Sequence, residues 1–96
     1  MTTEIELDRE TLQQCGKQLK EVRKSKIGKN RSRTQIKMAL DLGVSNSYLS
    51  RLENGWSLPS LDYYLRLRAV TGADLNILLD PAVRKYHSKI LESNGR

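Results

Sequence analysis

TQIKMALDLGVSNSYLSRLENG, residues 34–55, reads as two short helices joined by a tight turn. Gly43 supplies the turn, because a residue without Cβ takes φ > 0 without strain. Thr34 and Ser45 stand where each helix needs an N-cap, and Asn54-Gly55 is a stop signal. At about 100° per residue, Tyr48, Leu49 and Leu52 fall on one side of the second helix. Asn46, Ser47, Ser50, Arg51 and Asn54 fall within roughly 140° on the other. Such a stripe of amide, hydroxyl and guanidinium groups can hydrogen-bond base edges and phosphates. Taken alone it reads first as a solvated helix face, which most polar stripes are.

The charge balance separates these readings. The chain has 96 residues, a formal charge of +6 and a pI near 9.7, which favours an anionic partner, nucleic acid or a membrane surface. No segment combines a broad Lys/Arg face with a bulky apolar one, and no apolar run is long enough to cross a bilayer. Phe is absent and aromatics are few, which argues against stacking platforms for single strands. Duplex DNA is the expected partner, with no membrane involved. The size allows one domain with a modest core.

The single Cys15 cannot form an internal disulfide, which fits a reducing compartment. It lies in helical phase with Leu12, Leu19 and Val22, so it reads as a buried small hydrophobe rather than a redox sensor. No nucleophile–base set, paired carboxylates, metal-ligand cluster or phosphate loop is present. The expectation is a non-enzyme with no cofactor and no metal. With no signal-peptide pattern, a cytoplasmic location is expected.

Residues 1–8, MTTEIELD, form an N-terminal arm, either frayed or paired with a partner subunit. A first helix is expected over Arg9–Ser25, capped by Asp8, with Leu12, Cys15, Leu19 and Val22 recurring at three- and four-residue steps. The basic segment 27–33, IGKNRSR, is expected as a flexible loop. In the next helix Met38, Ala39 and Leu42 face the core, while Ile36 and Leu40 form a second apolar pair that Ile27 would cover. Trp56 is expected to lid the core beside Leu58 in preference to pressing on a sugar–phosphate backbone. Ser60 starts a helix ending at Gly72, in which one tyrosine serves a subunit contact. A short helix follows over Leu75–Leu79. Asp80-Pro81 then begins another, with Val83, Tyr86, His87, Ile90 and Leu91 on one half-buried stripe.

Gln35, Met38, Ala39, Leu42, Gly43, Val44, Ser45, Leu49, Ser50, Leu52, Glu53, Asn54 and Gly55 together resemble the Cro/Xre-type (lambda-repressor-like) helix-turn-helix family. The likeness extends back to Gly16, Leu19, Val22 and Arg23, and forward to Leu58-Pro59-Ser60-Leu61 and Leu75 to Leu79. It implies an all-α fold, a compact five-helix domain over residues 9–80 with an additional C-terminal helix and tail over 81–96. The chain departs from the family in the long 27–33 connection, in apolar Ile36 and Leu40, in Trp56, and in Arg68 and Thr71.

The resemblance also assigns roles. Asn46, Ser47 and Arg51 would read bases, Asn favouring adenine and Arg guanine. Gln35, Ser45, Ser50 and Asn54 would contact phosphates or brace the readers, and Lys29, Arg31 and Arg33 would add affinity without reading sequence. Arg23 would pair with Glu53, whose direction lies near the buried face of its helix. The function implied is a transcriptional repressor binding a palindromic operator as a homodimer, with Val83, Tyr86, Ile90 and Leu91 as dimer contacts. The alternative is an antitoxin-type module that neutralises a partner toxin and regulates its own promoter.

Overall fold

A computed structural model describes residues 7–26 and 28–94 of the chain. It contains α1 (Arg9–Lys24), α2 (Gln35–Leu42), α3 (Asn46–Glu53), α4 (Leu61–Thr71) and α5 (Leu75–Asn94). No strand occurs among the described residues; the fold is all-α. Most of the N-terminal arm, and the cover expected from Ile27, lie outside the described residues. Ile36 and Leu40 are 71% and 72% exposed.

Four helices begin on a side chain that accepts from the third amide of the first turn, as N-caps do. Asp8 takes Thr11, Thr34 takes Lys37, Ser45 takes Tyr48 and Ser60 takes Tyr63, at 2.9–3.2 Å. The hydrogen bonds from Thr11 hold the Asp8 carboxyl well below the usual carboxylate range. Lys85 Nζ, 3.0 Å away, adds to that effect and ties the start of α1 to α5.

Leu19, Met38, Ala39, Leu42, Leu49, Leu52, Tyr63, Tyr64, Leu67 and Leu78 form one buried cluster to which every helix contributes. Cys15 is buried beside Ala82 of α5, and desolvation raises its thiol pKa. Both candidate tyrosines are core residues, contrary to the expected subunit contact. Tyr63, Tyr64 and Leu67 share one arc of α4, and Tyr63 meets Tyr48 edge-on at 5.8 Å. The large apolar side chains that α4 exposes are instead Leu61 and Leu65.

The expected fifth and sixth helices are one. Pro81 lacks the N–H that would bond back to Ile77, a local defect worth about 3 kcal/mol in a helix interior. The helix continues because Leu78 and Ala82, on either side of Pro81, are both buried and hold its axis against the core. The boundary drawn at residue 80 therefore falls inside a helix. His87 is exposed rather than half-buried, as are Val83, Tyr86, Ile90 and Leu91.

Helix α1 crosses α3 at Gly16, where a Cβ would stand 2.6 Å from the carbonyl oxygens of both Leu52 and Glu53. Backbone cannot yield as a flexible side chain can. Gly16→Ala should therefore cost about 1–3 kcal/mol of stability, the range for forced overpacking. Urea titration followed by circular dichroism reads this directly; an unchanged midpoint would mean the crossing is looser than described.

Candidate nucleic-acid interface

The turn between α2 and α3 closes on Gly43, at φ 71. Its amide and that of Val44 donate to Leu40 O and Ala39 O at 3.2 and 3.0 Å. Arg66 of α4 braces this turn: Nη1 donates to Leu42 O at 2.9 Å while Nε pairs with Asp62 at 2.7 Å. With Leu49 and Leu52 fully buried, rotation of α3 about its axis is fixed. Asn46, Ser47, Arg51 and Asn54 then face solvent together, with Ser50 half-buried among them. Asn54 Nδ2 donates to Ser50 Oγ at 3.4 Å, and Ser45 Oγ serves the N-cap.

Glu53 lies at the buried edge of α3, where a carboxylate needs compensation. Arg23 reaches it from α1 with two donors, Nε to Oε2 at 2.7 Å and Nη2 to Oε1 at 3.0 Å. The two residues are only 6% and 7% exposed. Gln35 Nε2 adds a third bond to Oε1 at 3.1 Å. Gln35 thus braces the end of α3 from the start of α2.

Residues 30–33, expected within a flexible loop, are hydrogen-bonded to both α1 and α2. Asn30 is buried and its Nδ2 donates to Val22 O and Ser25 O, at 2.9 and 3.1 Å, satisfying carbonyls at the end of α1. Arg33 N donates to Arg23 O at 3.0 Å, and Arg23 Nη1 returns a bond to Arg33 O at 2.8 Å. The Arg33 guanidinium is engaged by Asp41 at 2.8 Å, by Arg31 O at 3.0 Å and by Asn30 Oδ1. Arg33 therefore braces the loop in the free chain. Lys37 and Arg33 hold the Asp41 carboxyl below its ordinary range. That tie is complete above the usual carboxylate pKa of about 4 and is lost only as pH falls through the lowered value. Lys29 and Arg31 remain exposed in this loop.

Trp56 does not lid the core. It is 62% exposed, and the Arg9 guanidinium lies 3.8 Å over its ring. Arg9 also donates to Gly55 O and, at 3.3 Å, to Asn54 O, at the C-terminus of α3. The α1 backbone packs against the residue before Trp56, since a Cβ on Gly55 would stand 2.7 Å from Gln13 Cα. Arg9, Asn30 and Arg66 escape sequence reasoning, because each acts on main-chain oxygens that no side-chain periodicity marks. Only the Asp62–Arg66 spacing of four was a readable cue.

The geometry defines a DNA-binding class of domain, a helix-turn-helix with its second helix presented outward. A helix-turn-helix family model matches residues 19–78. The chain belongs to that family, the Cro/Xre-like helix-turn-helix proteins. It is also similar to the "ImmF control region 10 kDa protein" of Bacillus phage phi105, 46% identical over 44 residues. That stretch spans 46% of this chain and about half, 49%, of the relative. No solved structure matches the chain.

Arg23→Ala strands a buried carboxylate and should cost on the order of 3–5 kcal/mol, against little for the exposed neighbour Lys24→Ala. Thermal melts of both variants separate a true buried pair from a surface one. Asp41→Asn should raise the rate of tryptic cleavage after Arg31 and Arg33 several-fold, through local opening of the loop. Equal cleavage rates would show that Asp41 does not order it.

Proposed function

We propose that the chain is a sequence-specific, double-stranded DNA-binding transcriptional regulator. It acts as a repressor on a palindromic operator, as a homodimer and without catalytic activity of its own. The observation that carries this reading is the exposed polar side of α3, fixed in direction by a buried opposite side. That polar side enters the major groove, with Asn46, Ser47 and Arg51 on base edges. Bidentate pairs of this kind contribute roughly 1–3 kcal/mol of discrimination each. Ser45, Ser50 and Asn54 contact phosphate or hold the readers, and Lys29 and Arg31 supply salt-sensitive affinity.

The +6 charge and likeness to a phage control-region protein support the same reading. Among the described residues, no helix is long and apolar enough to cross a membrane. The dimer forms through the exposed stripe of α5. Val83, Tyr86 and Ile90 fall within about 60° of one another, with Leu91 flanking them. Two copies then meet half-sites whose centres lie about one helical turn apart.

Arg51→Ala should relax base preference at one position of each half-site. Arg31→Ala should weaken operator and random duplex alike and flatten the salt dependence by about one unit of slope. Fluorescence anisotropy with both duplexes over a salt series reads the two effects. Equal losses on both duplexes for both variants would overturn this division of roles.

A further inference from the structure

Trp56 is a large ring that the fold immobilises without burying. Its amide donates to Arg51 O at 3.0 Å, while that of Gly55 donates to Leu52 O at 3.1 Å. Gly55 has φ 73. This pair of bonds is the Schellman closure, which carries the residue after the glycine back alongside the last helical turn. Trp56 is thereby attached to the turn that holds Arg51. Arg9 stacks on its ring and is itself anchored on the carbonyls of Gly55 and Asn54.

An immobilised, exposed indole has lost freedom without gaining burial, which is preorganisation for contact with something else. The chemistry around it narrows the choice of partner. Arg51 and Asn54 are exposed on the adjoining turn, and Arg9 sets a cation against one side of the ring. A partner must be anionic and must also offer an apolar surface of ring size. A deoxyribose flanked by its two phosphates offers both.

We propose that Trp56 is a DNA-backbone contact. Its indole packs on a deoxyribose at the edge of the groove that α3 enters, the ring N–H donates to the adjoining phosphate, and Arg9 contributes its charge there. The contact rests on the DNA reading of α3 and deepens it. It sets the depth and register at which Arg51 meets base edges, and reads no base itself.

Trp56 is the chain's single tryptophan, so emission excited at the red edge, beyond tyrosine absorption, follows this residue alone. Binding is measured independently, by anisotropy of a short fluorescein-labelled duplex in dilute salt, and acrylamide quenching of Trp56 is measured with and without unlabelled duplex. The expected result is a several-fold fall in quenching on binding. Trp56→Ala should lose about tenfold in affinity for selected and random duplexes alike. Its salt slope should be unchanged because no charge is removed, and Trp56→Tyr should recover part of the loss. If the protein binds duplex while Trp56 stays as quenchable as in the free chain, the proposal is overturned and the DNA reading survives. If the labelled duplex does not bind at all, the DNA reading falls and takes this contact with it. Should Trp56→Ala fail to fold by circular dichroism, quenching of the wild-type protein decides.

Discussion

A carboxylate set into the interior beside the end of a short helix is tolerated only where a guanidinium meets it in good geometry. Glu53 occupies that position and Arg23 meets it with two bonds. The pair sits where α1 crosses α3 over Gly16, at a separation that leaves no room for a methyl group. Burial of Leu49 and Leu52 fixes the rotation of α3. The ion pair and the glycine contact fix its lean and height against α1. An eight-residue helix is too short to be stable through its own hydrogen bonds, so these tertiary constraints are what make it a dependable surface.

The same pair extends its control outwards. Arg23 holds the loop ahead of α2 through Arg33 O, while Glu53 takes up Gln35 at the start of α2. The connecting loop and the two helices of the motif therefore share one buried junction. Around that junction the chain exposes several polar and cationic groups, with one indole beside them. Asn46, Ser47, Arg51 and Asn54 lie on α3, Lys29 and Arg31 on the braced loop, and Arg9 and Trp56 at the far end of α3. A rigid support beneath a polar, cationic surface keeps the entropy lost on binding low, which suits recognition of a stiff, regularly charged partner.

Much of this was legible because local signals and tertiary needs agree. Asp8, Thr34, Ser45 and Ser60 are capping residues followed by helical periodicity, and each does cap its helix. Gly43 marks a turn because only a left-handed residue closes it there. The direction of Glu53 on α3 already required a cation from elsewhere, and Arg23 supplies it. What the residues did not reveal comes from contacts with no period. Arg9 and Trp56 meet across about half the length of the chain, and nothing in their neighbours marks the pairing. Arg33 looks like one more free cation until Asp41 and Asn30 are brought to it by the fold. At Pro81 the local signal was clear and tertiary packing prevailed over it, through Leu78 and Ala82. Tyr63 and Tyr64 differ little as neighbours in sequence, and only the packed fold shows that both are buried.

The central claim, that the outward side of α3 reads double-stranded DNA, is tested most directly by selecting bound sites from a random duplex library with the intact protein. The account predicts enrichment of two inverted half-sites, with centres about one helical turn apart and a preferred base at the positions nearest each centre of contact. Recovery of the library with its starting composition, from folded protein in dilute salt, would contradict it.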